Sequence, residues 1–154
     1  MSATPRDEQL WEPGAGPEAN GTPLAEWWRR AAAVVIDTAV LWIPLMIATH
    51  SMERLARVAV GLVVGVVYFS LLNGSAKGQT LGKMVWQIRV RDAATGGPLG
   101  ITKAAVRYIV PALSSVIPIL GLFVGLTDGL WPLWDRRRQA LHDKVAGSVV
   151  VAAR

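Results

Sequence analysis

A nearly uncharged stretch near the start of the chain constrains the fold most. Residues 31–49 form a run of nineteen residues with a single charged side chain, Asp37. At 1.5 Å per residue, a helix of this length matches roughly 30 Å of bilayer hydrocarbon. Two tryptophans and two arginines directly precede the run, as aromatic and basic anchors do at a membrane interface. The stretch therefore predicts a membrane-spanning helix.

Asp37 is expected to face protein or water, because a carboxylate at the centre of a spanning helix costs about 3 kcal/mol on insertion scales. Arg30 lies two helical turns earlier, on the same face and about 10 Å away. Two interpretations of this acid and base are open. Asp37 could carry protons or cations, or it could be a buried structural partner of Arg30, and the structural pair is the one that we predict.

The composition agrees with a membrane protein. Hydrophobic residues make up 52% of the 154 residues and charged residues 18%, whereas about 25% charged residues are typical of soluble domains. There is no cysteine, which excludes disulfides and thiol chemistry. The net charge of +5 is interpreted as topology-setting charge beside anionic lipid, so no nucleic-acid partner is expected.

Two further segments flank the first helix. Residues 1–25 are rich in proline, glycine and acidic residues, which predicts a disordered tail before a membrane domain at residues 26–151. A second apolar span is predicted at residues 55–72. It contains Gly61 and Gly65, whose spacing lets another helix approach the backbone closely. Packing within one chain is the predicted use of these glycines, with dimerisation as the alternative.

Residues 73–103 form a polar segment that we expect in the cytoplasm. Apolar residues within 81–88 recur at one-face helical spacing, which predicts a short amphipathic helix at the membrane surface. Residues 88–92 then alternate, which predicts a strand, either in a local β-hairpin or paired with residues 148–151. The glycine–lysine run at 78–83 is not a phosphate-binding loop, because its glycine spacing is too short and no Ser or Thr follows the lysine.

The last apolar region, residues 104–134, is too long for one ordinary span and is interrupted by three prolines. Lys and Arg cluster before it, in residues 73–107, and after it, in the tail at 135–154. The positive-inside rule places both clusters in the cytoplasm, so an even number of crossings must separate them. Two short, broken helices at 104–118 and 119–134 are therefore predicted; a single crossing is the alternative.

The predicted fold is an all-α membrane protein with two full transmembrane helices, a broken C-terminal helical hairpin and a short cytoplasmic β-hairpin or amphipathic segment. We expect a multi-pass protein of the plasma membrane with both termini in the cytoplasm. No nucleophile–base pair, cofactor fingerprint or metal-ligand spacing is recognisable, so no enzyme activity, cofactor or metal is expected. The expected partners are the bilayer with its anionic lipids and a second copy or a membrane partner protein.

Several motifs, in order, resemble the RDD family of small prokaryotic membrane proteins. Arg30 and Asp37 match the arginine and aspartate of that family's first span. The run GQTLGKMVWQIRVRDAATGGPLG looks like its T-x-G-K block with the strand and glycine-rich turn that follow. Arg107 corresponds to an arginine that opens the next helix. The Leu-His-Asp motif ending at Asp143 resembles the C-terminal block, and Asp128 competes with Asp143 for the place of the second aspartate.

The resemblance covers residues 26–151 and implies a function only loosely. The family is largely uncharacterised, and transport, including cation/proton exchange, has been suggested for members. The hypothesis is a small transporter or ion- or proton-coupled carrier that uses Arg30 and Asp37. The alternative is a non-transporting membrane scaffold or a regulatory subunit. The long proline-containing run before the final block departs from the family pattern.

Overall fold

The computed structural model describes residues 18–19, 21–114 and 118–153, so most of the predicted tail lies outside the described residues. In this part of the chain, helices dominate and four short strands accompany them. In chain order the elements are β1 (Glu18–Ala19), β2 (Thr22–Pro23), α1 (Trp27–Ala48), α2 (Arg54–Gly74), α3 (Leu81–Val85), β3 (Ile88–Asp92), α4 (Ile101–Ser114), α5 (Pro118–Leu130), α6 (Leu141–Ala146) and β4 (Ser148–Ala152).

The two longest helices are apolar and largely uncovered. α1 and α2 have 22 and 21 residues and mean hydropathies of 2.1 and 2.2, so both are long and apolar enough to cross a membrane. Only 11% and 17% of their most apolar stretches are buried inside the protein. Ile47 and Leu55, for example, are 69% and 81% exposed. The predicted apolar helices at 31–49 and 55–72 are therefore confirmed as helices.

The predicted break in the last apolar region is also present. α4 and α5 have 14 and 13 residues and pack against each other. α4 begins at Ile101, earlier than predicted, and α5 begins with Pro118, where a proline costs no intrahelical hydrogen bond. A 3₁₀ turn at Trp131–Leu133 follows α5. This region thus contains two short helices instead of one long helix.

Small residues on α2 allow close packing inside the chain. A Cβ at Gly61 would lie 2.9 Å from the ring of Trp42 on α1, and one at Gly65 would overlap the hydroxyl of Tyr108 on α4. α4 runs along α2, α3 packs against α1, and α6 packs against α4. The two glycines therefore serve packing within one chain, as predicted.

The small sheet pairs distant parts of the sequence. β3 and β4 are antiparallel, with Ile88 opposite Ala152 and Asp92 opposite Ser148. The partner of β3 is thus the C-terminal strand, one of the two predicted pairings. After Asp92 the chain turns, because the Asp92 carboxylate accepts hydrogen bonds from the backbone N–H groups of Ala94 and Thr95. β1 and β2 form a separate short hairpin.

The buried apolar core surrounds this sheet, and it includes residues that were assigned to the tail. Leu24 bridges to Val151, and the Ala25 N–H donates to the Val150 carbonyl over 2.9 Å. Leu24 and Ala25 are 5% and 3% exposed. The structured domain thus begins before residue 26, because two apolar residues ahead of α1 bury themselves against β4.

Candidate functional site

Four helix ends meet at one end of the bundle. The N-terminal parts of α1 and α4 and the C-terminal parts of α2 and α5 lie together there, and α3 and α6 cover them. The indole N–H of Trp27 donates to the Gly129 carbonyl over 2.7 Å, which joins α1 to α5. The ionisable and amide side chains at this end, which we call the polar cluster, are Arg30, Asp37, Asn73, Lys83, Arg107, Asp128, His142 and Asp143.

Asp143 is the most connected member of the polar cluster. It is 0% exposed, and its carboxylate accepts hydrogen bonds from Arg30 Nη1 at 2.9 Å and Arg107 Nε at 2.7 Å. The Ala140 N–H and the Ser148 hydroxyl donate to the same carboxylate at 3.1 and 2.9 Å. One buried aspartate therefore fastens α1, α4, the start of α6 and β4 together.

The charges around Asp143 keep it ionised. Burial raises the pKa of its carboxyl, but its interactions with Arg107, His142 and Arg30 outweigh this effect and hold the pKa well below its usual range. The group is thus a buried ion triad with one acid and two arginines. Removing one partner of such a group leaves a buried charge without compensation.

Asp37 is also buried, but Arg30 is not its partner. Its carboxylate accepts hydrogen bonds from the Tyr68 hydroxyl at 2.9 Å, the Thr80 hydroxyl at 2.5 Å and the Gly82 N–H at 2.8 Å. The predicted Arg30–Asp37 pair is therefore wrong. The two side chains share a helix face, but α3 docks over Asp37, while the Arg30 guanidinium reaches to α6.

Gly82 makes this docking possible. It is buried where α3 touches α1, and a Cβ added to it would overlap the carbonyl oxygen of Ala33. The Thr80 hydroxyl also accepts the Lys83 N–H at the start of α3. The block Thr80-Leu-Gly-Lys83 is thus a short helix start that presents donors to Asp37.

Lys83 points into the protein, although Leu81, Met84 and Val85 on the same helix are exposed. It is 8% exposed, and its ammonium donates to the Asn73 side-chain oxygen over 2.7 Å. Burial lowers the pKa of Lys83 to about 7, and nearby Arg107 and Arg30 act in the same direction, against the opposing effect of Asp37 and Asp143. Within the described residues, Lys83 forms no ion pair.

Asp128 belongs to a separate pair. Its carboxylate accepts the His142 backbone N–H at 2.8 Å and lies 2.5 Å from the His142 ring Nδ1. This pair fastens α5 to α6. Of the two candidates for the second aspartate, Asp143 is the one that contacts Arg30 and Arg107.

A cavity of about 520 Å³ lies beside the polar cluster, between α1, α2, α4 and α5. Ligand cavities of about 300–1,000 Å³ are typical of small-molecule sites. Most of the polar cluster contributes to the lining, and apolar side chains from the four helices supply the remaining walls. The apolar lining includes Val34, Phe69, Tyr108, Leu126 and Leu130.

The sequence alone did not identify every member of this site. All five predicted residues lie at the polar cluster, but the partners of Asp37 and the buried position of Lys83 were not predicted. The T-x-G-K block was a usable signal for Thr80, Gly82 and Lys83. Asn73 also had a signal, as a polar side chain at the end of an apolar run.

Comparisons with known proteins agree with the motifs. The chain is 36% identical over 74 residues to the proline-rich antigen of Mycobacterium leprae (strain TN), which covers 48% of this chain and 27% of that protein. It is also 36% identical over 74 residues to the proline-rich antigen homolog of Mycobacterium tuberculosis (strain ATCC 25618 / H37Rv), where it covers 28% of that protein. No solved structure matches the chain.

The matched segment spans 27–28% of the length of these curated relatives, so their names alone say little about this chain. The match to the RDD family is much more extensive, because it runs over residues 24–147. It includes both arginines and all three aspartates of the polar cluster. The protein therefore belongs to the RDD family, whose members are typically membrane-associated.

Proposed function

We propose that the chain is a multi-pass membrane protein and acts as a small carrier, with the cavity between α1, α2, α4 and α5 as its cargo site. The observation that carries this proposal is the cavity of about 520 Å³, which combines buried charges with apolar walls. Ionisable residues at membrane depth are costly and usually mark binding sites or pathways. Asp37, Arg107 and Asp128, which lie within α1, α4 and α5, line one space between these helices.

The distribution of apolar residues supports membrane insertion. The surfaces of α1 and α2 are apolar and uncovered. The short helix α3 also exposes apolar side chains and buries a charged one, which is the reverse of the pattern in soluble proteins. Its apolar Leu81, Met84 and Val85 are 44%, 40% and 64% exposed, while Lys83 is buried. A helix of this kind suits the membrane surface, where its exposed apolar side chains enter the headgroup region.

The helix lengths support a topology in which the segment between α2 and α4 and the segment after α5 lie on the same side of the membrane. With 22 and 21 residues, α1 and α2 are each about 32 Å long, enough to cross roughly 30 Å of hydrocarbon. With 14 and 13 residues, α4 and α5 are each about 20 Å long, so together they enter the bilayer and return to the same side. The excess of Lys and Arg on that side supports a cytoplasmic location for it.

Within this carrier the polar residues have two different roles. Arg30 and Arg107 both bind Asp143, and this triad holds the helix ends around the cavity. Asp128 and His142 line the cavity and are hydrogen-bonded to each other, and histidines paired with carboxylates commonly serve as proton shuttles in proteins. This pair supports proton coupling better than Asp37 does, because it joins an acid to a histidine, whereas the donors to Asp37 are two hydroxyl groups and one backbone N–H.

The second candidate function is a non-transporting membrane scaffold or regulatory subunit. The saturation of Asp37 and Asp143 favours it, since both family aspartates act as structural links between elements. Such a subunit would work with a membrane partner or a second copy, through the uncovered apolar faces of α1 and α2.

Flux through reconstituted protein tests the carrier. The purified full chain is placed in liposomes that contain a pH-sensitive dye, and the internal pH is followed after a gradient of a cation (Na⁺ or K⁺) or of an organic carboxylate is imposed. Gly125 lines the cavity and a Cβ there would meet no atom within 4 Å, so Gly125→Phe fills the cavity without a clash at its base. Leu122→Phe is the matched control, because Leu122 lies on the same helix and is 61% exposed.

We expect the wild type and Leu122→Phe to change the internal pH and Gly125→Phe to lose most of this activity. A wild type that is no faster than empty liposomes contradicts the carrier and favours the scaffold. Equal flux in wild type and Gly125→Phe shows that the cavity is not the pathway.

A further inference from the structure

Lys83 is a basic side chain that faces the cavity without an ion-pair partner among the described residues. Its ammonium has three donor hydrogens, and the neutral side-chain oxygen of Asn73 is its hydrogen-bond partner among the described residues. Arg30 and Arg107 line the same cavity, and both share the single carboxylate of Asp143. Three cationic side chains thus face one space.

The other acids that line the cavity are already covered by donors. The Asp37 carboxylate accepts two hydroxyl groups and one backbone N–H, and the Asp128 carboxylate accepts the backbone and ring nitrogens of His142. Neither forms an ion pair with Lys83 in the described part of the chain. The buried ammonium therefore lacks a direct anionic partner that a bound ligand could provide.

The remaining walls fit a hydrocarbon chain. Val34 on α1, Phe69 on α2 and Leu126 on α5 line the cavity together with the ring of Tyr108 and Pro111 on α4. None of these side chains is charged, so this part of the lining is apolar. A ligand that meets both parts of the cavity has an anionic headgroup and an apolar body.

We propose that the cavity binds a single-chain anionic amphiphile, a long-chain carboxylate, with its headgroup on Lys83 and its chain along the apolar walls. This inference rests on the proposed function, because it names the cargo class of the same cavity. The cavity volume of about 520 Å³ lies within the usual range for small-molecule sites, which favours one chain over a two-chain phospholipid.

Equilibrium binding to the purified full chain tests the proposal. The protein is placed in nanodiscs of zwitterionic lipid and titrated with a fluorescent long-chain carboxylate. Unlabelled carboxylate, the alcohol of the same chain length and an anionic phospholipid then serve as competitors. We expect saturable binding that the carboxylate displaces at least about ten-fold more effectively than the alcohol. Equal displacement by the alcohol overturns the proposal, and displacement by the anionic phospholipid alone overturns the single-chain ligand.

Two variants connect the binding to the cavity. Lys83→Met keeps the length of the side chain and removes its charge, so it should weaken carboxylate binding about ten-fold or more and leave the weaker binding of the alcohol unchanged. Lys77→Met, at an exposed lysine of the same segment, is the matched control and should bind as the wild type does. Unchanged carboxylate binding by Lys83→Met overturns the proposal.

Gly125→Phe keeps the test decisive if Lys83→Met does not fold. It fills the apolar part of the cavity and should abolish saturable binding, whereas Leu122→Phe should retain it. Retained binding by Gly125→Phe overturns the assignment of the chain to these walls. Because binding requires no gradient, binding without flux contradicts only the carrier, and flux without binding contradicts only this inference.

Discussion

Asp143 illustrates how one residue can organise several elements. Its carboxylate accepts hydrogen bonds from two arginines on helices that lie far apart in the sequence. It also accepts the backbone N–H of Ala140 at the start of its own helix. A buried ion triad of this kind contributes little net stability compared with apolar packing, but it is costly to break. Its effect is to fix the position of α6 and β4 against α1 and α4.

Asp143→Asn should therefore destabilise the protein strongly. The change leaves Arg30 and Arg107 buried with a neutral partner, and breaking a buried pair costs about 3–5 kcal/mol. The measurement is the melting temperature and yield of the protein in detergent, with Glu53→Gln at an exposed acid as the control. A melting temperature of Asp143→Asn equal to that of the control contradicts the triad.

Asp37→Asn should also destabilise the protein, but for a different reason. An asparagine has one acceptor oxygen and an NH₂ group, so it cannot accept from the Tyr68 hydroxyl, the Thr80 hydroxyl and the Gly82 N–H together. An unsatisfied buried group costs about 1–3 kcal/mol. Adding Arg30→Gln should lower the melting temperature further, because Arg30 bonds to Asp143. A higher melting temperature in the double variant than in Asp37→Asn would instead support the Arg30–Asp37 pair that the sequence suggested.

The lowered pKa of Lys83 gives a defined pH dependence. The folded pKa of about 7 lies below the ordinary value of 10.5, so between these values the unfolded chain binds more protons and stability rises with pH. The melting temperature of the wild type relative to Lys83→Met should thus rise from pH 7 to pH 10. Lys77→Met should follow the wild type. Parallel curves for wild type and Lys83→Met contradict a buried, easily deprotonated Lys83.

At the scale of elements, α3 is unusual because it is very short and exposes its apolar side chains. It has five residues, its apolar side chains face outward, and it is held by donors that meet Asp37. An isolated helix of this length is unstable in water, so tertiary contacts must maintain it. The closest of these contacts is the approach of Gly82 to the backbone of α1.

Gly82→Ala should loosen α3 from α1. The added methyl group overlaps the Ala33 carbonyl oxygen, so the backbones must separate and the Gly82 N–H bond to Asp37 lengthens. Gly125→Ala is the control, because a Cβ there meets no atom within 4 Å. Hydrogen exchange should show faster exchange of the α3 amides in Gly82→Ala than in Gly125→Ala. Equal protection in both variants contradicts the close docking.

The parts of the fold that the sequence predicted correctly are those that depend on residues close together in the chain. Apolar runs revealed α1 and α2, and prolines revealed the break between α4 and α5, because these signals are local. The strand at Ile88–Asp92 was visible from its alternation, and its pairing with the tail was one of two options. The partner of Arg30 was missed, because helical spacing points to Asp37, whereas Asp143 lies 113 residues away and reaches Arg30 only after α6 folds back.

At the scale of the whole molecule, most of the charged residues that the structure describes lie at one end of an apolar bundle, with Glu53, Arg54 and Arg57 at the other end. The polar segment after α2 and the C-terminal segment both pack at this end, through α3 and through α6 with β4. The connection between α1 and α2 lies at the opposite end, where Ser51 is exposed. In the topology that we propose, the two long helices cross the membrane and the polar cluster lies on the cytoplasmic side.

Cysteine labelling tests this central claim most directly, because the chain has no cysteine of its own. Single variants Ser51→Cys and Thr95→Cys, both at exposed positions, are treated in intact cells with a membrane-impermeant thiol reagent and again after permeabilisation. We expect Ser51→Cys to react in intact cells and Thr95→Cys to react only after permeabilisation. Reaction of Thr95→Cys in intact cells, or of both positions only after permeabilisation, would contradict the two-helix crossing with the polar cluster in the cytoplasm.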